Sequence, residues 1–458
     1  DSYNINSQLL LDFNRKFGNH NVSALFGYTA ESSTSQYNDI WKNYVDPDLG
    51  TATDMTNSEV GYIGGGTFLD SNGRSSIQSI IGRVGYNWNE RYFAEFTFRY
   101  DGSSKFHKDY RWGFFPSVSV AWRPTEEAFL DTYRQNIGDL KIRASYGVLG
   151  QQAVGDYDRF TTYSLNSSGY VINNQVVTSA GFTLGKDDLT WEKTKTYNIG
   201  VDATFLHNAL QFSFDAFYKR TTDILQTPLY PDLFGTTVAR DNIGEMSNRG
   251  WELSINYYLR TGEFNHNFNF NLGDTQNKLL KFVGHEAIDG VEEIWRIRRE
   301  GLPYNSYFGY NCIGIFQNYE EIESSATPPG LAIQPGNLKY EDVNNDGIID
   351  SNDRVVLGNA FPRYTFGFSY GLEWRGFDFS MFWQGVGKRA QHIRGENIEP
   401  FHADYSQTMY KHQLDFWTPT NTDAEYPRLA VNGSDSQIND WKYGSSKQIL
   451  NGAYARLK

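Results

Sequence analysis

The sequence predicts an all-β fold, a large antiparallel β-barrel set in a membrane, and three observations predict it. Strand-length stretches alternate apolar and polar residues with period two. Very short turns and long polar loops take turns joining these stretches, as at the two rims of a membrane barrel. No continuous apolar run is long enough for a spanning helix. A mean hydropathy of −0.57 does not count against a barrel, because lumen residues cancel lipid-facing ones. The clearest example runs from Phe361 to Gly387 and turns at Arg375-Gly376. Tyr364, Phe366, Phe368, Tyr370, Leu372 and Trp374 share one face of its first strand, with Thr365, Gly367, Ser369, Gly371, Glu373 and Arg375 opposite. The return strand sets Phe377, Phe379, Met381 and Trp383 on one face. A soluble sandwich buries such a face against a second sheet, whereas a barrel turns it to lipid. Alternation alone leaves both open, and the second is a soluble or surface-attached carbohydrate-binding all-β protein.

From the start of the chain, Ile5–Phe17 and Asn21–Thr29 form a hairpin about Gly18-Asn19. Residues 31–74 read as one polar loop containing Gly64 to Gly66. Ser79–Trp88 returns through Asn89-Glu90 into Arg91–Tyr100, where Tyr92, Ala94, Phe96, Phe98 and Tyr100 share a face. Asp101–Phe106 opens another loop, and Pro116 stands at the entrance of the next strand, Val118–Trp122. Residues 125–138 suit a short helix capped by Thr125. A strand follows at Asp139–Gly147, then a loop region over about 150–190. Thr194–Phe205 pairs with Ala209–Thr221 through His207-Asn208. After a loop at 222–247, Arg249–Arg260 pairs with Glu263–Gly273 through Thr261-Gly262. Asn265, Asn267, Asn269 and Asn271 line one side of that last strand, which a closed apolar interior would resist. Residues 388–450 read as a further long loop, with a strand beginning near Gly452.

The interval 274–360 holds the sharpest local motif, EDVNNDGIIDSND over 341–353. Asp342, Asn344 and Asp346 stand at positions 1, 3 and 5 of a calcium loop, and Gly347 supplies the turn at position 6. Ile348 offers its backbone carbonyl, Ile349 is the apolar anchor, Asp350 fits the ninth position and Asp353 closes the loop where Glu is usual. Hard oxygen ligands at these offsets suit structural Ca2+, and the short terminal Asp leaves room for Mg2+. The same residues also make an Asx-rich turn that needs no metal.

A formal charge of −13 without a basic tract argues against a nucleic-acid partner. The lone Cys312 permits no internal disulfide. Eight scattered histidines, with no HExxH and no nucleophile elbow, give no catalytic constellation, so no enzyme is expected. Aromatic residues make up 16% of the chain. Of these, Trp41, Tyr44, Tyr62, Tyr157, Tyr230, Trp417 and Tyr426 fall in expected loops. Each can stack on a substrate ring or pack its own loop.

Several stretches together resemble the SusC/RagA group of TonB-dependent outer-membrane transporters. They are YFAEFTFRYDGSSKF (92–106), WGFFPSVSVAW (112–122), LKIRASYGVLGQQ (140–152) and GLPYNSYFGYNCIGIF (301–316), then DVNNDGIID with Leu357-Gly358 and Phe361-Pro362 after it, and the terminal NGAYARLK. The resemblance implies a barrel of about 22 strands with a plugged lumen, spanning the outer membrane of a Bacteroidetes-type bacterium. It implies import of oligosaccharides or peptides, with a SusD-like surface lipoprotein as lid and energy from the TonB complex. Against that pattern, residues 1–458 are expected to be a partial barrel with long extracellular loops. The signal peptide, TonB box, N-terminal plug, and first and last strands are expected to be absent.

Overall fold

The computed structural model describes residues 2–40, 68–131, 134, 138–172, 175–228, 236–282, 286–291, 294–395, 398–399, 409–429 and 444–458. Its body is a 13-stranded sheet in which each strand pairs with the wall strands nearest to it in sequence. All wall pairs are antiparallel. The strands are Ser2–Phe17, His20–Ile40, Phe68–Trp88, Tyr92–Ser103, Trp112–Trp122, Leu140–Gln151, Glu192–Phe205, Leu210–Gln226, Asp241–Thr261, Phe264–Lys281, Arg363–Trp374, Phe377–Lys388 and Tyr454–Leu457. Several reach 21 residues, longer than the roughly 9–11 that a tilted strand needs to cross a bilayer.

Register makes this sheet two-faced. One row of directly paired residues reads Ala24, Val84, Phe96, Val118, Tyr146, Tyr197, Tyr218. Another reads Phe212, Ile255, Phe270, Phe368, Trp383, Leu457. One residue along, the opposite face reads Ser23, Gly85, Glu95, Ser119, Ser145, Asn198 and Ser213, Ser254, Asn271, Gly367, Gln384, Arg456. A slip of one residue would exchange the faces, so every turn must hold register. Arg375 and Gly376 do so with φ of 46° and 85°, the left-handed pair of the tightest hairpins. The apolar side chains are exposed, among them Leu9, Leu11, Phe26, Val84, Phe96, Ile199, Phe379 and Leu457. A soluble sandwich would have buried them. An apolar surface this continuous calls for a non-aqueous neighbour.

The structure corrects several boundaries. Glu31–Ile40 and Phe68–Ser79 are strand rather than loop; their Ser-, Thr- and Gly-rich composition hides the alternation. Residues 41–67, including the three glycines, lie outside the described residues. Pro116 lies inside the strand Trp112–Trp122, opposite Phe98. It is tolerated because pairing on its other side begins only at Ser117. The stretch after Trp122 opens with two 3-10 turns, Pro124–Glu126 and Ala128–Leu130, and the short helix expected over 125–138 is met only at Asp131 and Arg134, which are helical among the described residues. Thr125 does not cap it; its buried hydroxyl bonds Asp139 instead. The region 150–190 contains a hairpin, Thr162–Ile172 with Gln175–Leu184, which is not part of the wall. The strands Leu210–Gln226 and Asp241–Thr261 take both ends of the expected 222–247 loop. Tyr364 has a φ of 54° and drops out of the pairing with Phe377–Lys388, so it leaves the regular apolar row.

Buried apolar cores occur at the long-loop end of the wall and in the insert beyond it. Phe106, Phe115, Val148, Val154, Leu189, Trp191 and Leu225 form one cluster, which gathers residues near the ends of five wall strands. Trp191 donates its Nε1–H to Arg111 O at 2.8 Å, and the Lys105 ammonium reaches Asp156 at 3.1 Å. A second cluster, Tyr310, Leu338, Tyr340 and Ile349, belongs to the insert between Phe264–Lys281 and Arg363–Trp374. That insert contains a four-stranded sheet, Glu286–Val291, Ile294–Arg299, Ser306–Tyr310 and Arg354–Gly358, and a two-stranded one, Cys312–Ile315 with Leu338–Tyr340.

Candidate functional site

Two regions carry polar chemistry: the polar face of the wall and the insert with its acidic loop. On the wall, Arg143 stands directly opposite Gly200, and Gly200 opposite Asp215. With no side chain at Gly200, the guanidinium lies across the strand. It bonds Asp202 at 2.7 and 2.9 Å and Asp215 at 3.0 and 2.9 Å. A Cβ built at Gly200 would stand 2.5 Å from Asp215 Oδ1 and 2.8 Å from Arg143 Cζ. Asn198 donates to Asp215 at 2.9 Å and Ser213 to Asp202 at 2.8 Å. The asparagine row continues this surface: Asn269 donates to Asn256, and Asn271 to Asn269 at 2.7 Å. The wall thus offers carboxylates, amides and hydroxyls at fixed positions, suited to holding polar, hydrogen-bonding groups. Sequence reading missed the Arg143 network. Its residues alternate visibly within each strand, but their meeting depends on register between strands far apart in the chain.

The acidic loop folds as a tight turn closed by its own side chains. Asn345 and Gly347 take φ of 58° and 85°, and the chain folds back on Asp342, whose carboxylate accepts from Asp346 N at 3.2 Å and Gly347 N at 2.9 Å. Asn344 Oδ1 accepts from Asp346 N at 3.0 Å, and Asp346 Oδ1 from Ile348 N at 3.0 Å. Asp350 caps the 3-10 turn Ser351–Asp353. Ile349 anchors the loop in the second cluster, its N–H donating to Thr327 O at 3.1 Å. Asp353 is fully buried, and its two oxygens accept from Val343 N at 2.9 Å and Asp350 N at 2.8 Å. Each carboxylate oxygen keeps a second lone pair after such a bond, and a buried carboxylate favours a nearby cation. These oxygens are of the hard kind that divalent ions take. Among the described residues, however, no three His, Cys, Asp or Glu side chains converge at metal-ligand spacing. Asp342, Asn344, Asp346, Asp350 and Asp353 share one turn, held by backbone N–H groups.

The predicted aromatic contacts divide. Trp41, Tyr44, Tyr62 and Tyr230 lie outside the described residues. Trp417 is only 8% exposed. Its Nε1–H donates to Gln317 at 2.9 Å, and its ring closes on Gly336, which has a φ of 93° and no room for a Cβ. It packs residues 409–429 onto the insert instead of presenting an open face. Tyr426 is half-buried beside His412, ring centroids 6.3 Å apart. Tyr157, 48% exposed, is the one of the three described candidates with much of its surface open. Elsewhere in the insert, a Gln317 N–H and the Lys339 ammonium hold the Glu321 carboxyl below the usual glutamate range. In residues 409–429, the Asn421 amide and Glu425 N–H lower Asp415.

Comparison with known proteins agrees with this architecture. The family described as "TonB dependent receptor-like, beta-barrel" matches residues 1–391. The chain is 31% identical to TonB-dependent receptor P3 of Formosa agariphila over 99% of its own length and 44% of the relative's. It is 30% identical to TonB-dependent receptor SusC of Bacteroides thetaiotaomicron over 67% of its length and 31% of that protein's. Its backbone superposes on a structure titled as the RagAB peptide importer in the closed-closed state, with a TM-score of 0.77 at 20% identity, covering all of this chain and 48% of the other. The chain thus spans less than half the length of these relatives. The family is one of receptors and transporters, not enzymes, as the missing catalytic constellation led us to expect. Residues 1–391 carry the match and the two-faced sheet runs throughout, so the chain belongs to the TonB-dependent receptor-like β-barrel family and is an outer-membrane protein that crosses with strands.

Proposed function

We propose that this chain forms wall and outer loops of a SusC/RagA-type, TonB-dependent importer. It would take up oligosaccharides or peptides together with a SusD-like surface lipoprotein. The observation that carries the proposal is the wall itself: an exposed apolar face backed by a face of hydroxyls, amides and carboxylates. One face suits lipid and the other a hydrated path. The structure titled as the RagAB peptide importer supports the peptide class, and the resemblance to the SusC/RagA group brings in the oligosaccharide class. A polar wall of this kind hydrogen-bonds either class. The test is growth and uptake by a strain lacking the full-length gene, supplied with labelled oligosaccharides or labelled peptides. Loss of uptake of one class, restored by the gene, supports import and names the substrate. Unchanged uptake of both would overturn it. Recovery of a surface lipoprotein with the tagged full-length protein from mild detergent tests the partner.

We also propose that the acidic loop holds a structural Ca2+, with Mg2+ as the competing ion. Asp342, Asn344, Asp346, the Ile348 carbonyl, Asp350 and Asp353 supply oxygens at calcium-loop offsets, and Asp353 is a buried carboxylate. The ion would neutralise the crowded carboxylates and fix the insert. A calcium titration should show a site in the parent that Asp346→Ala weakens by at least tenfold; equal affinity in both would dismiss it.

A further inference from the structure

We propose that Pro124–Asp131 is an interfacial anchor whose Ala128-Phe129 tip sits in the phospholipid headgroup layer on the periplasmic side of the outer membrane. Short turns mark the periplasmic rim of an outer-membrane barrel, and here they are Gly18-Asn19, Asn89–Arg91, Leu206–Ala209, Gly262-Glu263 and Arg375-Gly376. The connection Arg123–Asp139 belongs to the same rim but is much longer than these turns. Its base is fixed. Pro124 and Thr125 are buried, the Thr125 hydroxyl bonds Asp139, and Arg123 N–H donates to Arg91 O at 2.8 Å.

What places the segment against lipid is Glu127. Tyr92 points to the apolar side of the wall, paired with Trp88 and Trp122, and its ring stacks on Trp88 at 5.6 Å. The Tyr92 hydroxyl donates to Glu127 at 2.6 Å, and Arg91 donates to the other Glu127 oxygen at 3.2 Å. Glu127 therefore ties the connection to the outward aromatic ring of the rim. It is also the residue from which the 3-10 turn Ala128–Leu130 starts. In that turn Ala128 is exposed and Phe129 is 72% exposed.

A lone exposed Phe needs no explanation by itself. This one continues a surface of Trp88, Tyr92 and Trp122 that already faces the membrane, at the level where aromatic side chains concentrate. Two ion pairs neutralise charges beside it: Arg134 with Glu126 at 2.6 Å and Arg123 with Asp139 at 2.8 Å. Among the described residues of this connection, Phe129 presents the largest exposed apolar side chain to the layer beside it. The occupant is phospholipid, and the inference rests on the outer-membrane location, not on the import reading.

The test uses the full-length protein in phospholipid nanodiscs, free of other cysteines through Cys312→Ser and any equivalent changes elsewhere. A nitroxide is attached at Phe129→Cys, with Phe96→Cys as the lipid-facing reference and Asn19→Cys as the aqueous one. Power saturation then compares collision with oxygen and with a water-soluble nickel complex. The expected result is oxygen preferred over nickel at Phe129, several-fold above the Asn19 ratio and towards the Phe96 ratio. A ratio equal to that at Asn19 would overturn the anchor, whether or not a periplasmic protein covers the site in cells. Ala128→Cys repeats the measurement if the Phe129 variant does not fold.

Discussion

Arg143 shows how one residue can organise a polar wall. Its guanidinium reaches two carboxylates only because the residue between them is glycine. Arg143→Gln would leave Asp202 and Asp215 facing each other without a cation. All three side chains are partly solvated, so screening reduces the loss to about 1–2 kcal/mol. The readout is the temperature at which the folded band of the full-length protein disappears in unheated-versus-heated gel electrophoresis; a lower temperature is expected. Gly200→Ala should shift it in the same direction by displacing the guanidinium, while leaving every charge in place. Glu321 gives a pH test. Its folded-state value lies below the ordinary 4.5, so its stabilisation is complete above that value and is lost as pH falls through the lower folded one. Protease resistance of the insert should therefore weaken as pH falls below 4.5. Glu321→Gln should remove that part of the pH dependence.

At the scale of elements, legibility followed the chemistry of each segment. The hairpin Arg363–Trp374 with Phe377–Lys388 could be read almost residue by residue, because aromatic residues alternate with Gly, Ser and Thr. The turns at Gly18-Asn19, Asn89-Glu90 and Arg375-Gly376 were equally plain, since left-handed backbone favours Asn and Gly. Glu31–Ile40 was missed because a polar strand prolonged beyond a membrane alternates polar with polar. The packing of Trp417 is one of two readings its sequence leaves open, because a loop aromatic looks the same in sequence whether its face is open or closed on a neighbour. The Trp191 cluster was not read at all: its members come from Phe106 to Leu225, and only the wall brings them together. Trp191→Ala should cost about 3–5 kcal/mol locally. Limited proteolysis should then open the connections near residues 104–111 and 150–160, while the wall strands stay protected.

For the whole molecule, sequence pattern and family resemblance gave the wall and its membrane, and the structure added the register that makes both faces continuous. What the sequence could not give was depth: which loops form cores, and where a polar side chain meets one from a distant strand. The central claim is that the aromatic face meets lipid and the opposite face meets water. It is tested most directly on one strand, with single cysteines from Thr365 to Glu373 in the full-length protein in native outer membranes. Each is offered in turn a charged maleimide and a lipid-partitioning one. The structure predicts period-two alternation: Phe366, Phe368, Tyr370 and Leu372 positions label from lipid, and the positions between them do not. Equal labelling from lipid along the strand, or lipid labelling at Gly367, Ser369 and Gly371 instead, would contradict a lipid-facing aromatic wall.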